Sequence, residues 1–244
     1  MQRLGATAGL LVVALLGGCG GDDDPDALVV SAAASLTDAL RSCAPDGARL
    51  QFGGSDELAA QLRQGVEPDV FAAANTTLPQ ALAAEGLLER PRVFATNELV
   101  LAVPASGAGV GRLADLGRPG VTVVVGAPSV PVGSYTRKVL GRLEPGLQRR
   151  VLANVRSEEP DVKGVVGKLV QGAADAGFVY RTDVRATTGR LRAVALPREL
   201  QPVVRYGAAV VRGSGAPGPA SAFVDDLVRG ACAGALREAG FGAP

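Results

Sequence analysis

The run Ala27-Leu28-Val29-Val30-Ser31-Ala32-Ala33 passes through Ala34 into Ser35-Leu36-Thr37-Asp38-Ala39-Leu40. The first part is apolar with β-branched residues and predicts a strand, and the second starts a helical stretch. The same order returns downstream. Arg49 to Phe52 reads as a short strand, Gly53-Gly54-Ser55 as a turn, and Asp56 to Gln64 as a helix with Leu58 and Leu62 on one face. Asp69 to Ala74 is a third strand and Leu78 to Ala84 a third helix, ended by Gly86. Strands alternating with helices imply a parallel sheet with right-handed crossovers.

A second series follows the first. Asn97 to Pro104 predicts a longer strand and Ala105 to Gly111 a Gly-rich turn. Val121 to Val125 and Ala176 to Tyr180 predict strands, and Ser134 to Arg142 and Asp161 to Gln171 predict helices. Val203 to Val211 predicts a further strand and Ala220 to Glu238 a final helical region. The fold class is therefore α/β, and 244 residues allow one large domain or two lobes of roughly 100 residues each.

Composition excludes several functions. The chain has no His, so neither a Ser-His-Asp nor a Cys-His machine can be built, and a zinc site would need the three Cys and carboxylates. There is no Gly-x-Ser-x-Gly and no Ser-x-x-Lys, which argues against an anchored serine hydrolase. Gly164-Val165-Val166-Gly167-Lys168-Leu169 lacks P-loop spacing and the Ser or Thr after Lys. A formal charge of +1 argues against a broad nucleic-acid surface.

Residues 1–18 read as an export signal, with Arg3 followed by the apolar run Leu10 to Leu16, too short to span a membrane comfortably. Leu16-Gly17-Gly18-Cys19 resembles the bacterial lipobox, which would make Cys19 the lipid-modified first mature residue; the alternative is an ordinary signal peptide cleaved nearby. Residues 19–26, rich in Gly and Asp, form a polar tether. Removing the signal takes away one positive charge, Arg3, so 25 positive side chains become 24 against 24 negative. Cys43 and Cys232 remain as either a disulfide, which this compartment permits, or two buried thiols.

Ser35 and Ser55 each stand where a strand has ended and a helix begins, at the carboxyl edge of the predicted sheet. Free N–H groups and the positive helix end suit that edge to an anion, and a hydroxyl adds a donor. The competing reading makes each Ser a helix N-cap. Pro131-Val132-Gly133-Ser134-Tyr135 opens a helix in the same setting, Asp161 is the expected N-cap before Val162, and Tyr180 ends a strand with a phenolic donor or as a half-buried sheet aromatic.

Six segments in order resemble the molybdate-binding proteins of ABC importers. They are Val30 to Leu36, Phe52-Gly53-Gly54-Ser55, Asp69 to Ala74, Asn97 to Leu101, Pro128 to Tyr135 and Gly177-Phe178-Val179-Tyr180. The resemblance implies a two-lobed, type II periplasmic-binding-protein fold, each lobe a mostly parallel sheet flanked by helices, with the ligand in the cleft. Lobe I would comprise 27–98 and 206–244, and lobe II 99–205. It implies molybdate, or tungstate, held by Ser35, Ser55, Val132, Val162 and Tyr180, the metal being bound only as its oxyanion and with no cofactor. Val132 departs from the Ala usual before this Gly, and Ala127-Pro128 from the usual Asp-Pro.

It implies further an extracytoplasmic, lipid-anchored, monomeric capture protein, not an enzyme, that delivers to a transmembrane permease and its ATPase. Another small oxyanion such as sulfate or phosphate is the alternative within the same fold. None of the implied ligands titrates between roughly pH 6 and 9, so affinity is expected to be flat across that range.

Overall fold

Among the described residues the chain forms ten strands, most of them apolar, and helices between them cover the sheets. The computed structural model describes residues 27–107 and 109–244, so the export signal, Cys19 and the tether lie outside the described residues. In chain order the first elements are β1 (Val29–Ala33), α1 (Thr37–Arg41), β2 (Arg49–Gly53), α2 (Ser55–Arg63), β3 (Val70–Ala73), α3 (Thr77–Ala84) and β4 (Arg92–Asn97). Next come β5 (Leu99–Pro104), β6 (Val123–Gly126), α4 (Pro131–Leu140), α5 (Pro145–Ala153), β7 (Val155–Glu159), α6 (Val162–Val170), β8 (Ala176–Tyr180), α7 (Arg181–Ala186) and β9 (Leu191–Ala195). The chain finishes with β10 (Val204–Val210), α8 (Pro217–Arg229) and α9 (Ala231–Ala239).

These strands form two five-stranded sheets, ordered β2-β1-β3-β10-β4 and β7-β6-β8-β5-β9. In the first, β1 pairs in parallel with β2 and β3, Val30 lying opposite Val70, while β10 runs antiparallel between β3 and β4. In the second, β6 pairs in parallel with β7 and β8, and β5 runs antiparallel between β8 and β9. The reversed strand in each sheet is the one that arrives from the other lobe. The central strands β3, β6 and β8 are buried along their length, as parallel strands covered by helices on both faces must be.

The outermost strands β2 and β7 are half-exposed and carry polar residues. Val155-Arg156-Ser157-Glu158-Glu159 has no apolar run, which is why periodicity does not announce β7.

Three differences from the sequence expectation bear on the cleft. The strand expected from Asn97 to Pro104 is two strands: Asn97 closes β4 in the first sheet, Glu98 turns, and Leu99 opens β5 in the second. β10 begins at Val204, two residues before the expected lobe boundary, so the return crossing occupies residues 196–203. The final helical region breaks at Gly230 into α8 and α9.

Glu98 joins the two crossings. Its carboxylate accepts from Arg181 Nε and Nη2 at 2.6 and 2.7 Å, and from Nε2 of Gln201 on the return segment at 3.3 Å.

Cys43, just past α1, is bonded to Cys232 in α9, across a sequence separation of 189 residues. A bridge over so long a loop removes much of the unfolded chain's freedom. Reduction, or Cys43→Ser with Cys232→Ser, is expected to lower unfolding free energy by about 2–5 kcal/mol in denaturant titrations. Identical transitions with and without reductant would contradict this.

Candidate ligand-binding cleft

Between the lobes lies a small cavity whose wall includes all five residues expected to bind a ligand: Ser35, Ser55, Val132, Val162 and Tyr180. The first two come from the β1 and β2 ends of the first sheet, the other three from the β6, β7 and β8 ends of the second. The cavity is about 20 Å³, little above the ~10–15 Å³ that one water needs. That size suits a compact solute of few heavy atoms.

Neither serine caps its helix. The N-cap positions are Ala33 for the 3₁₀ turn Ala34–Leu36 that leads into α1, and Gly54 for α2; neither helix start has a side-chain cap. The Ser55 hydroxyl instead accepts the Ala74 N–H at the end of β3 at 3.1 Å, which leaves its own proton free to donate. Ser35 Oγ lies 2.9 Å from the hydroxyl of Tyr206 in β10, a buried pair. Both serines are themselves buried, 6% and 1% exposed, so their hydroxyls are not simply solvated.

In the second lobe, α4 opens with Pro131 at its first position, and Val132 and Val162 sit in the first turns of α4 and α6. Backbone N–H groups there have no carbonyl one turn back. Asp161 caps α6 as the sequence predicts, its Oδ1 accepting the Gly164 N–H at 2.9 Å. Asp161 also borders the cavity, and this cap turns its carboxylate toward its own helix. Among the described residues no Lys or Arg lines the cavity.

Tyr180 is the most informative member. Its side chain is buried, and its hydroxyl finds no hydrogen-bond partner among the described residues. Burial pushes its pKa well above 10, with the neighbouring Tyr206, Tyr135 and Asp183 adding to the rise, so the hydroxyl keeps its proton. A buried donor without an acceptor costs ~1–3 kcal/mol, and an acceptor in the cavity would remove that cost.

Gly54 sets how closely the lobes approach. A Cβ there would lie 2.5 Å from the Pro160 carbonyl oxygen and 3.3 Å from Val130 Cγ1, both in the second lobe. Across the same cleft, Lys163 Nζ of α6 reaches Asp38 Oδ2 of α1 at 2.9 Å. These contacts, like Tyr206, carry no sequence signal, because each depends on which elements face each other across the cleft.

One finding changes the expected pH behaviour. Asp183, the third residue of α7, accepts the Tyr180 N–H at 3.1 Å and is buried, with Oδ1 lacking a hydrogen bond. Burial raises its pKa from 3.8 to about 7; Lys163, with Nζ at 3.9 Å, opposes the rise, and Asp38 and Asp161 add to it. Arg185 lines the adjoining cavity of about 240 Å³ together with Asp183. The folded state therefore prefers protonated Asp183. Its stabilising contribution is complete below the unfolded pKa near ~4 and is lost as pH rises through 7. Asp183→Asn keeps an oxygen for the Tyr180 N–H and is expected to raise the melting temperature at pH 8, with the gain fading toward pH 4. An equal shift at both pH values would contradict the assignment.

The model for bacterial extracellular solute-binding proteins matches residues 28–242. The molybdate-binding protein ModA of Mycobacterium tuberculosis is 34% identical over 267 aligned positions spanning all of both chains. Among solved structures, the substrate-binding domain of a putative molybdenum ABC transporter from Clostridium difficile is 27% identical, with a TM-score of 0.64 over 89% of this chain and 98% of that one. The periplasmic molybdate-binding protein of Azotobacter vinelandii shares the fold, with a TM-score of 0.78 at 20% identity over 89% and 99%. With a two-lobed fold, a compact interlobe cleft and a family match across nearly the whole described chain, this protein belongs to the bacterial extracellular solute-binding proteins.

Proposed function

We propose that this protein captures molybdate, and tungstate with it, outside the cytoplasm and delivers it to the permease and ATPase of an ABC importer. The observation that carries the reading is the Tyr180 hydroxyl, a buried donor without a partner in the wall of a cavity that also gathers Ser35, Ser55, Val132 and Val162. The name of the full-length mycobacterial relative supplies the ligand class.

A tetrahedral dianion presents only acceptors, so a wall of donors satisfies every oxygen, while a protonated anion would set a donor against a donor. The helix starts of α2, α4 and α6 turn their positive ends to this edge, which favours an anion, while the carboxylates of Asp56 and Glu57 in α2 and of Asp161 at the start of α6 oppose it. The metal enters only inside its oxyanion, and the protein does no chemistry on it. Among the described residues no group of three or more His, Cys, Asp or Glu could hold a bare metal ion.

Sulfate and phosphate are the competing ligands. Among the described residues no helix is long and apolar enough to cross a membrane. In this reading the protein works as a monomer held at the membrane by a lipid on Cys19, joined to the lobes by the polar tether.

A thermal-shift panel of molybdate, tungstate, sulfate and phosphate on the chain from Gly20 onward tests the ligand. Molybdate at a hundredfold its Kd should add ~2.7 kcal/mol. A response to sulfate or phosphate alone would overturn the molybdate assignment. Tyr180→Phe is expected to leave the ligand-free protein as stable as before or slightly more so, and to weaken molybdate binding by about tenfold or more. Loss of stability with unchanged affinity would make Tyr180 a sheet aromatic only. Gly54→Ala should likewise cut molybdate affinity, since its added methyl meets the Pro160 carbonyl oxygen of the opposite lobe, and an affinity equal to wild type would contradict this. An anion beside Tyr180 would favour protonated Asp183, so affinity should rise as pH falls from 8 to 6 in wild type and change less in Asp183→Asn.

A further inference from the structure

We infer that Tyr206 and Asn97, neither of which lines the cavity, are positioning residues that hold the Ser35 hydroxyl as a donor toward an oxyanion. The inference rests on the oxyanion reading above and adds to it a specificity device.

The direction of each hydrogen bond follows from one obligatory donor. Asn97 Oδ1 lies 2.9 Å from the Glu98 N–H, and a backbone N–H can only donate, so the amide oxygen must face it. The Asn97 Nδ2 group then faces the other way and donates to Thr182 Oγ1 at 2.9 Å and, more weakly, to Tyr206 Oη at 3.5 Å. Tyr206 Oη thus meets a donor on one side. Its single proton is left for Ser35 Oγ, 2.9 Å away. Ser35 accepts that proton, so its own points away from Tyr206, into the space it borders, which is the ligand cavity and the adjoining one beside Asp183.

Two features keep this order from reversing. Burial raises the Tyr206 pKa well above 10, and the Asp183 charge adds to the rise, so the phenol stays protonated. The ring is enclosed by edge contacts to Phe94, Tyr180 and Phe241 at centroid distances of 6.0, 5.9 and 5.3 Å, so the hydroxyl has no second position. The chain also spans the lobes: Asn97 ends β4 at the crossing, Thr182 is in α7 of the second lobe, and Tyr206 is in β10 of the first. A free serine hydroxyl can turn to donate or accept. Held by Tyr206, Ser35 has one lone pair filled and its proton free, which biases it toward donating and disfavours an anion that presents a proton there.

The test is a double-mutant cycle on molybdate affinity, measured by calorimetry. Tyr206→Phe keeps the ring and removes only the hydroxyl. Alone it should weaken binding about tenfold; in a Ser35→Ala background it should change affinity less than about twofold. Equal losses in both backgrounds would show that Tyr206 acts through general packing and would overturn the inference. A second arm needs no ligand. In the anion-free protein the Tyr206 hydroxyl proton should give a slowly exchanging NMR resonance that shifts in both Ser35→Ala and Asn97→Ala. A resonance indifferent to both substitutions, or one exchanging as fast as a solvated phenol, would overturn it. If wild type binds none of the oxyanions, the proposed function fails by itself, and the NMR arm still decides the hydrogen-bond order.

Discussion

A buried polar group must be hydrogen-bonded or it costs stability, and the cleft of this protein concentrates that constraint in one place. Tyr180 presents a buried hydroxyl that finds no partner among the described residues. Ser55 has its lone pair engaged by Ala74 and its proton free. Val132 and Val162 bring N–H groups from first helical turns, which have no carbonyl behind them. Every one of these groups offers a proton. The complement of such donors is a solute made of acceptors, and the cavity suits a compact one.

The topology makes this convergence possible. The chain crosses from the first sheet to the second at Asn97-Glu98-Leu99 and returns through residues 196–203, and each crossing inserts one reversed strand among parallel ones. Because the remaining strands in each lobe keep one direction, the helix starts that follow them gather along one edge. The two edges face each other across the cleft. Glu98, held by Arg181 and Gln201, ties both crossings to α7, directly after Tyr180. The Cys43–Cys232 bridge ties the far end of α1, the helix entered through Ser35, to α9.

Much of this could be read from residue order. The alternation of Ala27 to Ala33 with the Ser35 stretch, and its repetition around Gly53-Gly54-Ser55, predicts the α/β fold. The five residues that the resemblance to molybdate-binding proteins implies as ligands all border one cavity. What periodicity missed follows from its physical basis. β7 is an edge strand with Arg156, Glu158 and Glu159, so it has no apolar face to betray it. β4 and β5 run together in sequence because only Glu98 separates them, and a change of sheet leaves no hydrophobic signature. The serines read equally well as N-caps, and only the observed partners, Tyr206 and Ala74, separate the two roles. Asp183 was invisible as a titrating group because its raised pKa comes from burial behind Tyr180, a consequence of packing rather than of local sequence.

An oxyanion held only by hydrogen bonds from neutral donors keeps its tetrahedral shape, with no protein atom bonded to its metal. X-ray absorption at the molybdenum edge, on protein saturated with molybdate, tests this most directly. Four oxygen neighbours in the tetrahedral geometry of the free anion are expected. Additional ligands in the metal's own shell, for instance from the carboxylate of Asp161, would contradict it.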